Sequence, residues 1–225
     1  MPNRSWAERR FDPQHRQTLL STERQTRWNP LDFLARLGLQ RGQTVLDLGC
    51  GPGFWTLPLA ETVGPRGTVW ALDVSQEMLD ALAARHPPPQ VRLLRGELPA
   101  IDLPDASVDR VWAAFIFHEV ERPERLAAEI RRVLRPAGRV AVLDWRPDAE
   151  SNDGPPRAHR LGPGQVIACL RAAGLGDATQ TWQDEDAYLV EAAVEACSPA
   201  NRPAEVTRQE EKWPQPNLDP HATSG

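Results

Sequence analysis

Three glycines separated by single residues, Gly49, Gly51 and Gly53, close the stretch VLDLGCGPG that begins at Val45. An apolar run that breaks into glycines reads as a strand entering a tight turn. A ligand can meet bare backbone there, and the helix that follows offers it unpaired N–H groups. Which ligand depends on the spacing. Dinucleotide enzymes favour G-x-G-x-x-G and nucleoside triphosphatases G-x-x-x-x-G-K-[ST], whereas this chain has G-x-G-x-G and lacks the second pattern. Asp47, just ahead of the glycines, would repel a pyrophosphate and suits a cationic amino-acid group. Asp73 ends the next β-rich run about 20 residues on, where a carboxylate can accept two hydrogen bonds from a ribose diol.

S-adenosylmethionine carries an ammonium, a sulfonium and no phosphate, so this acidic set favours it. A plain strand-to-helix turn and a nicotinamide site are the alternatives that the glycines alone leave open. Further along, His118 and Glu119 follow the apolar run VWAAFIF, at the strand end where parallel α/β sheets bind ligands. With an ordinary pKa of about 6.5, His118 is a candidate general base or substrate contact. A histidine held by loop backbone is the plainer reading, and Glu119 reads as a helix cap. Asp144, beside Trp145 at the end of the following strand, and His159 and Arg160 in a Pro/Gly-rich loop are candidate substrate contacts. A surface loop is the plainer account of the last two. Asp109, at the start of a strand, reads as structural.

These residues need a scaffold, and the chain supplies an alternation. TVLDLG, TVWALDV, VRLLRGE, RVWAAFIF and GRVAVLDW are short β-rich runs, with helical patterns after Gly53, from Ser75 as a cap, and over RPERLAAEIRRVL. Such alternation means βαβ units and a parallel sheet. Leu126, Ile130, Val133 and Leu134 give the last helix its buried stripe, and Ala137-Gly138 turns the chain into the next strand. Ahead of the glycine loop, Asn29 caps a helix that has Pro30 in its first position and Gly38 as its stop, with Leu31, Leu34 and Leu37 facing the core. After a helix near 165–173, ATQTWQ and AYLVEAAV are separated so briefly that they suit an antiparallel hairpin.

Composition bounds the function. A chain of 225 residues can bury a full core, so a single-domain enzyme fits. A net charge of -5 argues against a dedicated nucleic-acid binder, and the local cluster Arg9, Arg10, Arg16, Arg24 and Arg27 reads as a solvated helical face. Lys212 is the sole lysine, which disfavours Schiff-base chemistry. No apolar run is long enough to span a bilayer. Cys50, Cys169 and Cys197 are scattered without C-x-x-C spacing, so no metal site is expected and the chain reads as a reduced, cytoplasmic protein.

VLDLGCGPG, Asp73, GELPAIDLPDASVD, FIFHEV and IRRVLRPAGRVAVLDW together resemble the class I S-adenosylmethionine-dependent methyltransferases, in particular the branch that includes quinone-biosynthesis C-methyltransferases. The resemblance runs from about Gly42 to Val194. It implies a Rossmann-like, doubly wound α/β fold: a seven-stranded, mostly parallel sheet with an antiparallel last strand and helices on both faces. It also implies that Asp47, Gly49, Cys50, Gly51 and Gly53 surround the methionine part of the cofactor and that Asp73 holds its ribose. Met78 or Val74 would flank the adenine apolarly, Leu98 would offer its backbone N–H, and Glu97, where relatives often have aspartate, would face its amino group. The family's Leu-Pro-Phe run becomes Ile101, Asp102 and Leu103, a departure in that loop. Arsenic-methylating relatives use several cysteines, a set this chain does not match.

The expected organisation is a helical extension over 1–40 that can act as a lid with Phe11 and Trp28, a methyltransferase domain over 41–197, and a disordered tail over 198–225. The expected partner is a small-molecule methyl acceptor. The alternative to transfer is a sensor or assembly protein that binds S-adenosylmethionine without reacting it.

Overall fold

The computed structural model describes residues 11–151 and 153–194. Arg9, Arg10, Cys197 and the expected tail lie outside the described residues. A 3-10 segment, Pro13–Leu20, leads to α1 (Thr22–Arg27) and α2 (Pro30–Leu37). There follow β1 (Thr44–Leu48), α3 (Thr56–Val63), β2 (Thr68–Asp73), α4 (Gln76–Ala83), β3 (Val91–Arg95) and β4 (Val108–Ala114). The chain continues with α5 (Pro123–Val133), β5 (Leu134–Trp145), α6 (Pro163–Ala172), β6 (Leu175–Gln183) and β7 (Ala187–Val194).

The strands form one seven-stranded sheet in the order β3-β2-β1-β4-β5-β7-β6. β1 to β5 pair in parallel, and β7 runs antiparallel to both β5 and β6. The antiparallel hairpin is possible because only a few residues join β6 to β7, too few for a crossover. Winding goes outward from β1 through β2 to β3, then restarts at β4 on the other side of β1. The C-terminal ends of β1 and β4 therefore part at a topological switch, where open α/β sheets leave a crevice.

Period-two side-chain alternation splits the core between the two faces of the sheet. Val111 of β4 and Val140 and Val142 of β5 pack with Leu126, Ile130 and Val133 of α5 and with Val166 and Leu170 of α6. Val45, Trp112 and Leu143, one residue out of phase, pack with Phe33, Leu34 and Leu37 of α2 and with Leu59 and Val63 of α3. In α2, Asn29 Oδ1 accepts a hydrogen bond from Leu31 N at 3.2 Å and Gly38 takes a left-handed φ of 62°, so both end signals are met. Its buried face differs from the expected one. Leu31 is 57% exposed, and Phe33 is buried with Leu34 and Leu37, because Pro30, Phe33, Leu34 and Leu37 share the i, i+3, i+4, i+7 stripe.

Two boundaries also differ. β4 stops at Ala114, not Phe117, because Phe115 turns out of the strand with φ of 58° and Phe117–Glu119 forms a 3-10 turn. The turn expected at Ala137-Gly138 is absorbed into β5: Ala137 has φ of 61°, and the pairing with β4 shifts register between Val108 and Arg110.

Candidate functional site

The glycine loop leaves β1 through three left-handed residues, with φ of 67° at Gly49, 50° at Gly51 and 88° at Gly53. At two of them a side chain would also have to displace a terminal methyl of a neighbour. A Cβ on Gly49 would fall 2.8 Å from Ile116 Cδ1, and one on Gly53 would fall 2.4 Å from Leu82 Cδ1. At Gly51 a Cβ would meet only Leu19, at 3.5 Å, so the 3-10 segment lies across the loop. Cys50 N donates to Leu72 O at 3.0 Å, and Gly51 N donates to Asp73 Oδ2 at 2.9 Å, tying the loop to the end of β2. Asp73 Oδ1 accepts from Ser75 N at 2.9 Å, so one carboxylate fixes two turns at once.

A cavity of about 1390 Å³ opens above the ends of β1, β2, β4 and β5, larger than the roughly 300–1,000 Å³ typical of ligand pockets. Its walls include Gly49, Cys50, Gly51, Asp73, Val74 and Met78. From the next loop come Glu97, which is exposed, and the half-buried Leu98. His118 and His159 line it too. Asp47, Gly53, Asp144 and Arg160 do not: Gly53 is turned toward α4, and the other three are buried behind the wall. Arg160 braces the Pro/Gly loop, donating to the carbonyls of Pro155 at 2.9 Å, Arg146 at 3.1 Å and Asp153, with its guanidinium 5.6 Å from the Trp145 ring.

Asp47 shares the α3 side of β1 with Val45 and accepts a hydrogen bond from Thr56 Oγ1 at 2.7 Å. Burial pushes its carboxyl up to about 7; the Thr56 bond opposes this and the nearby Asp73 charge adds to it. Since the folded state holds this proton more tightly than the unfolded chain, stability falls as pH rises between about 4 and 7. Asp47→Asn removes the titration while keeping an acceptor for Thr56. It is expected to stabilise the ligand-free protein at pH 8 by roughly 2–4 kcal/mol relative to the native chain, with the gap closing toward pH 5. Urea titrations across that range check this, and a pH-independent gap would refute it.

His118 sits where β4 has ended and is 4% exposed. Its Nδ1 lies 2.7 Å from Asp144 Oδ1, while its backbone N donates to Asp144 Oδ2 at 3.1 Å. β4 and β5 are parallel neighbours, so their ends bring the two residues together. With Asp144 as acceptor, Nδ1 carries the proton and Nε2 is the basic atom. Nε2 lies 3.9 Å from Glu119 Oε1. Burial pushes the imidazole pKa down, but Asp144 and then Glu119 more than offset it, and the net shift is upward. Glu119 also lines the cavity and accepts from Phe11 N at 3.1 Å, so it is more than a helix cap; burial pushes its carboxyl up to about 7.

The remaining wall is aromatic. Trp28, Phe115 and Trp145 form a triangle with ring centroids 4.7, 4.8 and 5.3 Å apart, and Phe54 and Trp55 adjoin it. Phe115 owes its place to a left-handed backbone that costs a bulky residue about 1–3 kcal/mol, strain of a kind that clusters at ligand sites. α1 brings Arg24 over these rings. The arginine cluster expected to be a solvated face is thus split: Arg24 is stacked on the aromatics, and Arg27 pairs with Asp153, Asp184 and Asp186. Arg24, Phe54, Phe115 and Glu119 escaped sequence reasoning as site residues. The one sequence signal for them was the position of Phe115 and Glu119 around a strand end.

Among the described residues no group of three or more His, Cys, Asp and Glu is placed to hold a metal, and no helix is long and apolar enough to cross a membrane. The family described as "Methyltransferase domain" matches residues 46–142. The chain resembles the crystal structure of a SAM dependent methyltransferase from Aquifex aeolicus, with 32% identity and a TM-score of 0.76 over 82% of this chain and 100% of that one. It is 34% identical to a demethylmenaquinone methyltransferase of Geobacillus sp. (strain WCH70) over 130 residues, 56% of this chain and 55% of the relative. An arsenite methyltransferase of Halobacterium salinarum matches at 31% over 163 residues, 71% of this chain and 40% of that protein. The chain spans about half the length of the curated relatives it matches. Glycine loop, strand-end acids and sheet order agree with these matches: the chain belongs to the S-adenosylmethionine-dependent methyltransferase family.

Proposed function

We propose that the protein methylates a small-molecule acceptor whose acidic proton is taken by His118. One observation carries this reading: His118, paired through Nδ1 with Asp144, lines the same cavity as the glycine loop and Asp73. S-adenosylmethionine, the family's cofactor, supplies an activated methyl group on sulfur. The residues present fit it, since a left-handed glycine turn, a carboxylate at the end of β2 and the apolar residues Val74, Met78 and Leu98 all line one space. Gly49 and Gly51 would hold the amino-acid end, Asp73 the ribose, and Glu97 the adenine edge.

The chain's own contribution is positioning, proton removal and exclusion of water. Asp144 orients the imidazole, so that Nε2 accepts the proton from an O–H or C–H acid, and the charge formed is stabilised by Asp144 and Glu119. Residues 11–37 supply Arg24, Trp28 and the strap over Gly51, and they act as the cavity's cover. An aromatic hydroxy acceptor of the quinol kind is supported by the activity for which the Geobacillus relative is named and by the aromatic wall. Arsenite has less support: Cys50 is buried, and burial pushes its thiol pKa well up, away from the reactive thiolate.

Parallel calorimetric titrations with S-adenosylmethionine, S-adenosylhomocysteine and NADH test the cofactor half. Micromolar binding of the first two without the third is the expected result. Binding of NADH alone would replace this reading with hydride transfer.

A further inference from the structure

Arg24 occupies an unusual position for a cation. Its guanidinium carbon lies 4.7 Å from the centroid of Phe115, 5.0 Å from Trp28 and 5.3 Å from Phe54, all of which line the cavity, as does Arg24 itself. Nε is buried without a hydrogen-bond partner, and no carboxylate is paired with this guanidinium among the described residues. Desolvation lowers its pKa to about 10, so it stays charged at neutral pH. The other cations nearby are differently placed. Arg27 is held by Asp153, Asp184 and Asp186, and Arg122 and Arg125 are exposed at the cavity mouth.

A charge taken from water is costly unless an opposite charge meets it, and ring faces compensate for only part of the loss. A guanidinium also presents a flat fork of donors that matches a carboxylate in two parallel hydrogen bonds. The neighbouring triangle of Trp28, Phe115 and Trp145 suits a flat apolar body. We infer that the methyl acceptor is a planar, carboxylate-bearing molecule whose acid group is received by Arg24 while its ring lies against Phe115 and Trp145. This rests on the methyltransferase reading above and narrows its acceptor from quinols in general to hydroxyaromatic acids.

The test is a binding measurement, independent of turnover. Protein saturated with S-adenosylhomocysteine is titrated calorimetrically with salicylate and hydroxynaphthoate and with their neutral amides. The native protein is expected to bind the acids at least tenfold more tightly than the amides, roughly 1.4 kcal/mol or more. Arg24→Gln should erase that preference while leaving amide and S-adenosylhomocysteine affinities within about twofold of native, which a general loss of packing would not do. Arg24→Lys keeps the charge but loses the fork, and should retain only part of the preference; it serves if the glutamine variant does not fold. Equal binding of acids and amides by the native protein, or an acid preference that survives in Arg24→Gln, would overturn the inference. Failure of S-adenosylhomocysteine to bind would instead strike the methyltransferase reading, and the acid–amide comparison on the ligand-free protein would still report on Arg24.

Discussion

Asp73→Ala is expected to bind S-adenosylmethionine and S-adenosylhomocysteine 10- to 100-fold more weakly than the native protein, a loss of roughly 1.4–3 kcal/mol. Two effects combine. The substitution would remove the charge-assisted hydrogen bonds proposed to the ribose, and it releases Gly51 N and Ser75 N, both held by this carboxylate at 2.9 Å. The loop then keeps its Cys50 N–Leu72 O link to β2 but loses the one at Gly51, just where the ligand must meet a fixed backbone. Asp73→Asn should recover little, because its amide N–H would face one of two backbone donors. The exposed Glu97, changed to Gln, should cost less than Asp73→Ala, since a solvated carboxylate loses more of its interaction to water. Calorimetry with both ligands measures this, and unchanged affinity in Asp73→Ala would discredit the cofactor assignment.

His118→Gln should lower kcat by about 10²- to 10⁴-fold with the true acceptor, the range lost when a general base is removed, while S-adenosylhomocysteine affinity stays within threefold of native. A pH profile separates this from mere packing. The base must be neutral to act and its pKa lies above the ordinary value, so kcat/KM should rise with pH and level off above a midpoint higher than about 6.5. Asp144 is the leading group that raises that pKa, so Asp144→Asn should move the midpoint to lower pH. It should also reduce kcat by unsettling the tautomer that leaves Nε2 basic. Glu119→Gln should move the midpoint the same way by a smaller step. Undiminished turnover in His118→Gln would reject the base, and an immobile midpoint in Asp144→Asn would reject the pairing as its cause.

The parts of the molecule legible in its sequence are those governed by local rules. Strands β1 to β5 follow from period-two and apolar runs, α2 from Asn29, Pro30 and Gly38, and the glycine turn from its spacing. The candidate chemistry was half legible: His118 and Asp144 were both recognisable at strand ends, yet their 2.7 Å contact depends on β4 and β5 being neighbours. Arg24 was misread because its surroundings are built at long range, from a helix at residue 24 docking on rings at 54 and 115. Leu31 was misplaced by one position on a helix so short that several stripes could face the core. The early end of β4 was hidden by an apolar run through Phe117, since hydrophobicity does not reveal that Phe115 adopts a left-handed backbone.

The break in strand order between β1 and β4 has an evolutionary consequence. Gly49, Gly51 and Asp73 hang from β1 and β2, whereas Phe115, His118, Asp144 and Trp145 hang from β4 and β5. On the proposed assignment of these residues, substitutions on the second pair of strands, or in the separate helix that carries Arg24, would retarget the acceptor while leaving the residues assigned to the donor in place. Descendants of such a chain are free to diversify in what they methylate while inheriting, unchanged, what they methylate with.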